Sequence, residues 1–229
     1  MVSLVTGAYG FIGLHLIPRL EDLALLIGSR TSSMVLDQGL QKADRIYHLA
    51  GANRPSSELD FERVNVGFTR TICEKLLEFG RKPTIVFASS IQAELDNPYG
   101  NSKRRAEEVL QEFGVKSGAD IRIYRLRNVF GRRCRPNYNS VVATFCYNLS
   151  HGLPIEISDP EREIELVYVE DVVDAFVKLS PPENIPFSRI TLGELATILY
   201  DFKVGSEHLG GRCIGQLCDT YFSYVGGDA

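Results

Sequence analysis

An α/β architecture, a doubly wound parallel sheet with helices on both faces, is predicted by three observations. Short apolar runs alternate with amphipathic segments through the first two thirds of the chain. The first run ends in glycines spaced G-x-x-G-x-x-G, at Gly7, Gly10 and Gly13. No apolar run approaches the roughly 18 residues that a membrane span needs. Alternating strands and helices imply parallel strands joined by crossover helices.

The elements follow in order. Val2 to Thr6 is an apolar strand, and Ile12 to Leu20 a helix that carries Leu14, Ile17 and Leu20 on one face. Leu23 to Ser29 and Arg45 to Ala50 are further short strands, with an abbreviated helix expected between Arg30 and Lys42. A helix spans about Glu58 to Phe79, Thr84 to Ser89 is a strand, Tyr99 to Phe113 a helix and Ile121 to Leu126 a strand. After residue 128 the alternation gives way to basic, Asn- and Pro-rich loops. Thr191-Leu192-Gly193-Glu194 has the T-x-x-E capping-box form before the helix Leu195 to Phe202. Residues 205 to 229 are Gly-rich and read as a loosely held tail.

The 229 residues suffice for one full core with a small appended lobe. Residues 1–128 are expected to form the nucleotide-binding domain and 129–229 a lobe interleaved with it. A net charge of -4 gives no reason to expect nucleic acid or an anionic membrane as partner. The five cysteines, Cys73, Cys134, Cys146, Cys213 and Cys218, are scattered without a C-x-x-C pair, which reads as reduced thiols in a cytoplasmic protein. The N-terminus enters a strand directly, leaving no expected signal peptide. His15, His48, His151 and His208 lack metal-ligand spacing, so no metal is expected.

Gly7 permits a tight turn, Gly10 close approach to a pyrophosphate and Gly13 close packing of helix on strand. The phosphate would then lie at a helix N-terminus, with Tyr9, Phe11 and Ile12 completing the turn. Ligands of such sheets sit beyond the carboxyl ends of the strands, where Arg30, Leu49, Ala50, Gly51, Ser90 and Asn128 also fall. Tyr99 and Lys103 stand four residues apart on one helical face, and the nearby ammonium favours a phenolate. The second strand ends Ile27-Gly28-Ser29-Arg30-Thr31-Ser32 without a carboxylate for a ribose 2′-hydroxyl. Arg30, with Ser29 or Ser32, suits a 2′-phosphate instead, which favours NADP(H) over NAD(H).

The glycine turn with a downstream Y-x-x-x-K resembles the extended, sugar-nucleotide branch of the short-chain dehydrogenase/reductase superfamily, which has a Rossmann-type fold with a small C-terminal substrate-binding lobe. The resemblance implies that Tyr99 transfers the proton and that Lys103 holds the cofactor ribose and lowers the tyrosine pKa. It also puts Ser90 in the carbonyl-polarising position, with Ser89 as fallback. The segments Leu49 to Pro55, Ser89 to Gly100, Asn128 to Gly131 and Cys134 to Cys146 narrow it to the bifunctional capsule and lipopolysaccharide enzymes of UDP-N-acetyl-L-fucosamine synthesis.

In that family the reductase domain uses NADPH to reduce the C4 ketone of a UDP-2-acetamido-2,6-dideoxy-hexos-4-ulose. A C-terminal cupin performs the preceding epimerisation, and this chain stops where the cupin is expected. A separate cupin epimerase is therefore a candidate partner. The resemblance makes Asn128, Asn139 and Ser140 sugar-nucleotide contacts, with Arg132, Arg133 and Arg135 near the diphosphate, and gives Asn65 a structural role. Ile164 replaces a clamping Arg common in extended members, leaving Arg162 or Arg189 as substitutes. Ile91-Gln92 stands where dehydratases carry Asp-Glu, which argues against dehydration. A sugar-nucleotide epimerase and a catalytically silent dinucleotide-binding scaffold remain alternatives. Extended relatives pair through the helices near Glu58–Phe79 and Tyr99–Phe113, so a homodimer is expected.

Overall fold

The computed structural model describes residues 1–54, 57–206 and 210–226. Pro55 of the loop motif, His208 and the last three residues of the tail lie outside the described residues. The chain divides into two compact units. The first comprises Met1–Leu126 with Val173–Asn184, and the second Arg127–Val172 with Ile185–Ala229.

The first unit carries a five-stranded, wholly parallel sheet in the order β2-β1-β3-β4-β5. Its strands are β1 (Val2–Thr6), β2 (Leu23–Ile27), β3 (Arg45–His48), β4 (Thr84–Ser90) and β5 (Ile121–Leu126). The inner strands β1, β3 and β4 are mostly buried because crossover helices cover them. Leu4, Ile46, Ile85 and Phe87 of the sheet pack with Leu36 and Leu40 of α2 (Ser33–Lys42), Ile72 and Leu76 of α4 (Phe68–Glu78), and Leu110 and Phe113 of α5 (Pro98–Ser117). From Tyr124 of β5, the ring meets Phe176 of α7 (Val169–Lys178) at 4.8 Å and the hydroxyl donates to Ser180 O at 2.7 Å. Both sides of β1 are occupied by strands, β2 and β3, so the chain reverses its winding between β1 and β3. Parallel sheets bind ligands at such a switch point.

Several expectations need correction. The Arg30–Lys42 stretch holds a full ten-residue helix, α2, capped by Ser32, whose hydroxyl accepts from Val35 N–H. The helix from Glu58 is interrupted. After α3 (Glu58–Phe61), residues Glu62–Gly67 widen to π geometry before α4 resumes. The first-turn helix is short: α1 covers Phe11–Leu16 and tightens to a 3-10 turn over Ile17–Arg19, with Pro18 inside it.

The second unit is more regular than its loops suggest. It holds β6 (Asn128–Phe130), β7 (Glu163–Tyr168) and β8 (Ser188–Thr191), with β7 parallel to β6 and antiparallel to β8. Strands of three and four residues are too short to show alternation in sequence. Its helices are α6 (Val141–Ser150), α8 (Leu192–Val204) and α9 (Arg212–Val225), and α8 opens with the full Thr191–Glu194 capping box. The expected loose tail is largely α9. Gly215 weakens that helix intrinsically, but Leu217, Tyr221 and Tyr224 are buried where it packs on α6 and α8, and tertiary burial outweighs propensity. Among the described residues, no helix is long and apolar enough to cross a membrane.

Candidate active site

The glycine turn has the geometry its spacing requires. Gly7 has φ of +66°, and a Cβ there would lie 2.7 Å from Ala50 N and 2.8 Å from the Leu49 carbonyl carbon. A Cβ on Gly13 would lie 2.7 Å from Gly7 O. The turn closes with Gly10 N–H donating to Gly7 O at 2.9 Å, and Gly10 begins α1 without any side-chain cap. Tyr9, 69% exposed, lays its ring against Gly28, where a Cβ would be 2.8 Å from the ring edge. Arg30 and Ser29 are exposed in the turn after β2.

The loop after β3 is tied to this turn. Leu49 N–H donates to Thr6 O and Ala50 N–H to Thr6 Oγ1, both at 3.2 Å. Asn65, in the π segment, accepts from Ala52 N–H at 2.7 Å and donates to Ala52 O at 3.1 Å and Ser102 Oγ at 2.8 Å. Ser102 in turn donates to Tyr99 O at 2.7 Å. Asn65 therefore joins the β3 loop to the first turns of α5, in line with a structural role.

Helix α5 begins at Pro98 because Asn97 caps it, accepting from Gly100 N–H at 2.8 Å. Gly100 allows that first turn to press on the Gln92 carbonyl group. Tyr99 sits in this turn, half-buried, with its ring 5.8 Å from that of Phe61. Lys103, one turn later, is 4% exposed. Its Nζ donates to Ala88 O at 2.6 Å and stands 4.3 Å from the centre of the Phe87 ring. A Cβ on Gly51 would be 3.8 Å from the same Nζ. Burial lowers the Lys103 pKa to about 8, and the Glu107 carboxylate opposes the shift.

The two serines at the end of β4 differ. Ser89 is buried and donates to Glu107, whose carboxylate is gripped by Arg125. Ser90 accepts from Gln92 N–H at 3.2 Å, opening a 3-10 turn. Sequence reasoning missed the Glu107–Arg125 pair. Its signal was present, since Glu107 follows Lys103 by four residues on the same face.

The second unit holds the residues expected to contact the sugar nucleotide. Asn128 is exposed and donates to Glu165 O at 3.0 Å. Ser140 caps α6, accepting from Ala143 N–H at 3.3 Å, a helix-starting role the sequence reading did not assign. Asn139 is exposed beside it, and Arg135 stacks on Tyr138 with its guanidinium 5.4 Å from the ring. Arg132 lies 3.8 Å from Asp219, and Arg133 adopts a φ of 61°. Arg189 pairs with Glu165 at 2.9 Å and shares that carboxylate with Arg127. Arg162 is exposed. Among the described residues, no group of three or more His, Cys, Asp or Glu could hold a metal ion.

Comparison with known proteins adds the following. UDP-2-acetamido-2,6-beta-L-arabino-hexul-4-ose reductase of Pseudomonas aeruginosa is 41% identical, the match covering 100% of this chain and 66% of that protein. Capsular polysaccharide assembling protein CapF of Staphylococcus aureus superposes with a TM-score of 0.88 at 37% identity, covering 98% of this chain and 66% of that one. The chain thus spans just under two thirds of the length of these relatives. UDP-glucuronic acid 4-epimerase of Bacillus cereus, solved in complex with NAD, shares the fold at 17% identity, with a TM-score of 0.82 and 98% of both chains covered. The family model for NAD dependent epimerases and dehydratases matches residues 3–186, from the first strand through the glycine turn, Tyr99 and Lys103, and the chain belongs to the NAD dependent epimerase/dehydratase family.

Proposed function

We propose that this protein binds NADP(H) and reduces the C4 ketone of a UDP-2-acetamido-2,6-dideoxy-hexos-4-ulose in the making of a capsule or O-antigen sugar nucleotide. The observation that carries the reading is Lys103. A lysine 4% exposed, held by Ala88 O and the Phe87 ring one turn beyond Tyr99, is an expensive arrangement unless its charge is used. The Gly7–Gly13 turn supports a pyrophosphate site, because it leads into the N-terminus of α1 without a side-chain cap, and main chain lies too close to Gly7 and Gly13 to admit a Cβ. The exposed Arg30, with no carboxylate at the end of β2, supports a 2′-phosphate and hence NADP(H).

When bound, the reduced nicotinamide supplies hydride to the C4 carbon. Tyr99 gives its phenolic proton to the forming alkoxide, and the Lys103 ammonium stabilises the phenolate left behind. Ser90 donates a hydrogen bond to the same oxygen as charge develops there. Commitment of the Ser89 hydroxyl to Glu107 supports Ser90 in this role. Asn128, Arg132, Arg135, Asn139 and Ser140 belong to the sugar-nucleotide side of the reading. So do a cytoplasmic setting, a homodimer formed through α4 and α5, and a cupin epimerase acting one step earlier.

Tyr99→Phe is expected to lower kcat by about 100-fold or more while NADPH binding persists, as loss of a positioned general acid requires. Ordinary NADPH oxidation by this variant with a UDP-4-keto-6-deoxy sugar would remove Tyr99 as proton donor.

A further inference from the structure

We propose that His48 is a positioning residue that locks the dinucleotide-binding main chain through hydrogen bonds running in one fixed direction, from Ala50 N–H to Asn65 O. The inference rests on the reading that the Gly7–Gly13 turn and the Leu49–Gly51 loop hold the dinucleotide.

His48 is the last residue of β3 and is 1% exposed. Its Nδ1 lies 2.7 Å from Thr6 Oγ1, and its Nε2 lies 2.8 Å from Thr69 Oγ1. The Thr69 hydroxyl proton goes to Asn65 O at 2.6 Å. A hydroxyl has a single proton, so Thr69 Oγ1 must accept from the ring, and Nε2 is the protonated nitrogen. In a neutral imidazole Nδ1 is then an acceptor, and the Thr6 hydroxyl donates to it. The Thr6 oxygen keeps a lone pair for Ala50 N–H. Each donor meets an acceptor, and no member can reverse without breaking a link. Burial and the nearby Lys103 charge keep the ring neutral, lowering its pKa to about 3.

The ends of this relay show what it positions. Thr6 immediately precedes Gly7, and Ala50 is the residue whose amide a Gly7 Cβ would strike. Asn65 orders Ala52 and, through Ser102, the turn that carries Tyr99. The π widening at Glu62–Gly67 is consistent with this. The Asn65 carbonyl lies in this segment and accepts from the Thr69 hydroxyl. The ring itself is wedged between Phe68 and Phe87, at 5.7 and 5.2 Å. Phe87 is the same ring that supports Lys103. Both His48 nitrogens are spent on segments that converge on the cofactor turn.

Two measurements on the intact chain test this. Nitrogen-15 NMR of histidine-labelled protein should show His48 as the neutral Nε2–H tautomer between about pH 5 and 8. An Nδ1–H tautomer, or a ring that protonates in that range, overturns the inference. NADPH binding, read by cofactor fluorescence well below each variant's Tm, should weaken about tenfold in Thr6→Val and stay within about twofold in Thr6→Ser, which keeps the hydroxyl. Equal NADPH affinity in Thr6→Val and the unaltered protein overturns it, whatever happens to Tm, because the relay is then structural only. Failure of the unaltered protein to bind NADPH would remove the cofactor reading and this inference with it. If Thr6→Val does not fold, NADPH affinity in Thr69→Val, which removes the Nε2 partner instead, decides by the same criterion.

Discussion

Raising the pH through 8 is expected to switch the site off by discharging Lys103. Burial lowers this lysine from 10.5 to about 8. That difference corresponds to about 3 kcal/mol disfavouring the charged form, at 1.36 kcal/mol per unit. With a value near 8, about 90% of the side chains are charged at pH 7 and about 10% at pH 9, so kcat/KM should fall about tenfold between them. Stability moves the other way. Between pH 8 and 10.5 the unfolded chain holds a proton that the folded one has released, so this group's contribution to stability rises with pH while activity falls.

Glu107 sharpens the test, because its carboxylate holds the Lys103 pKa up and is itself fixed by Arg125 and Ser89. Glu107→Gln should therefore carry the alkaline limb of kcat/KM to lower pH. The limb is assigned by following the Lys103 side-chain nitrogen by NMR, with Lys103→Met identifying the signal. A flat kcat/KM from pH 7 to 9.5, or a Lys103 nitrogen that titrates at its ordinary 10.5, would refute the reasoning.

His48 should make the fold acid-sensitive. Its folded pKa of about 3 lies below the unfolded 6.5, so as pH falls through that window only the unfolded chain gains the proton, and stability drops by up to about 1.4 kcal/mol per unit. Urea titrations at pH 7 and 5 should show the loss, and an identical midpoint in both would count against a buried neutral ring. Gly7→Ala and Gly80→Ala should differ in cost. Both glycines have positive φ, +66° and +63°, but only Gly7 has main chain within 3 Å of the added carbon, while Gly80 has nothing within 4 Å. Gly80→Ala should lose about 1 kcal/mol from backbone strain alone. Gly7→Ala should lose more and also weaken NADPH binding, and equal losses would contradict the close approach of Ala50.

The first unit was legible in sequence because its elements carry strong periodic signals. Val2–Thr6 and Ile121–Leu126 fall as expected: β1 is buried from Ser3 to Thr6 between β2 and β3, and β5, at the sheet edge, buries Tyr124 and Leu126 while Arg122 and Arg125 stay exposed. Gly7, Gly10 and Gly13 were legible because a turn without room for a Cβ leaves few residue types to choose from. Tyr99 and Lys103 were legible because helical spacing places them on one face. The second unit was read less well. Ser188–Thr191 is too short for a period, and α9, with Gly215 in its second turn, becomes a helix only where Leu217, Tyr221 and Tyr224 find a surface to bury against.

Short-range sterics and periodicity alone set the order of strands in the first unit, the residue types at the glycine turn and the spacing of Tyr99 and Lys103. Only the tertiary structure decided how His48 is used, since its partners Thr6 and Thr69 lie 42 and 21 residues away. The same holds for Glu107, which becomes part of the site only once β5 brings Arg125 alongside. Hydrogen-bond direction and the depression of a buried lysine depend on which groups share a water-free space, and parallel pairing of distant strands creates that space.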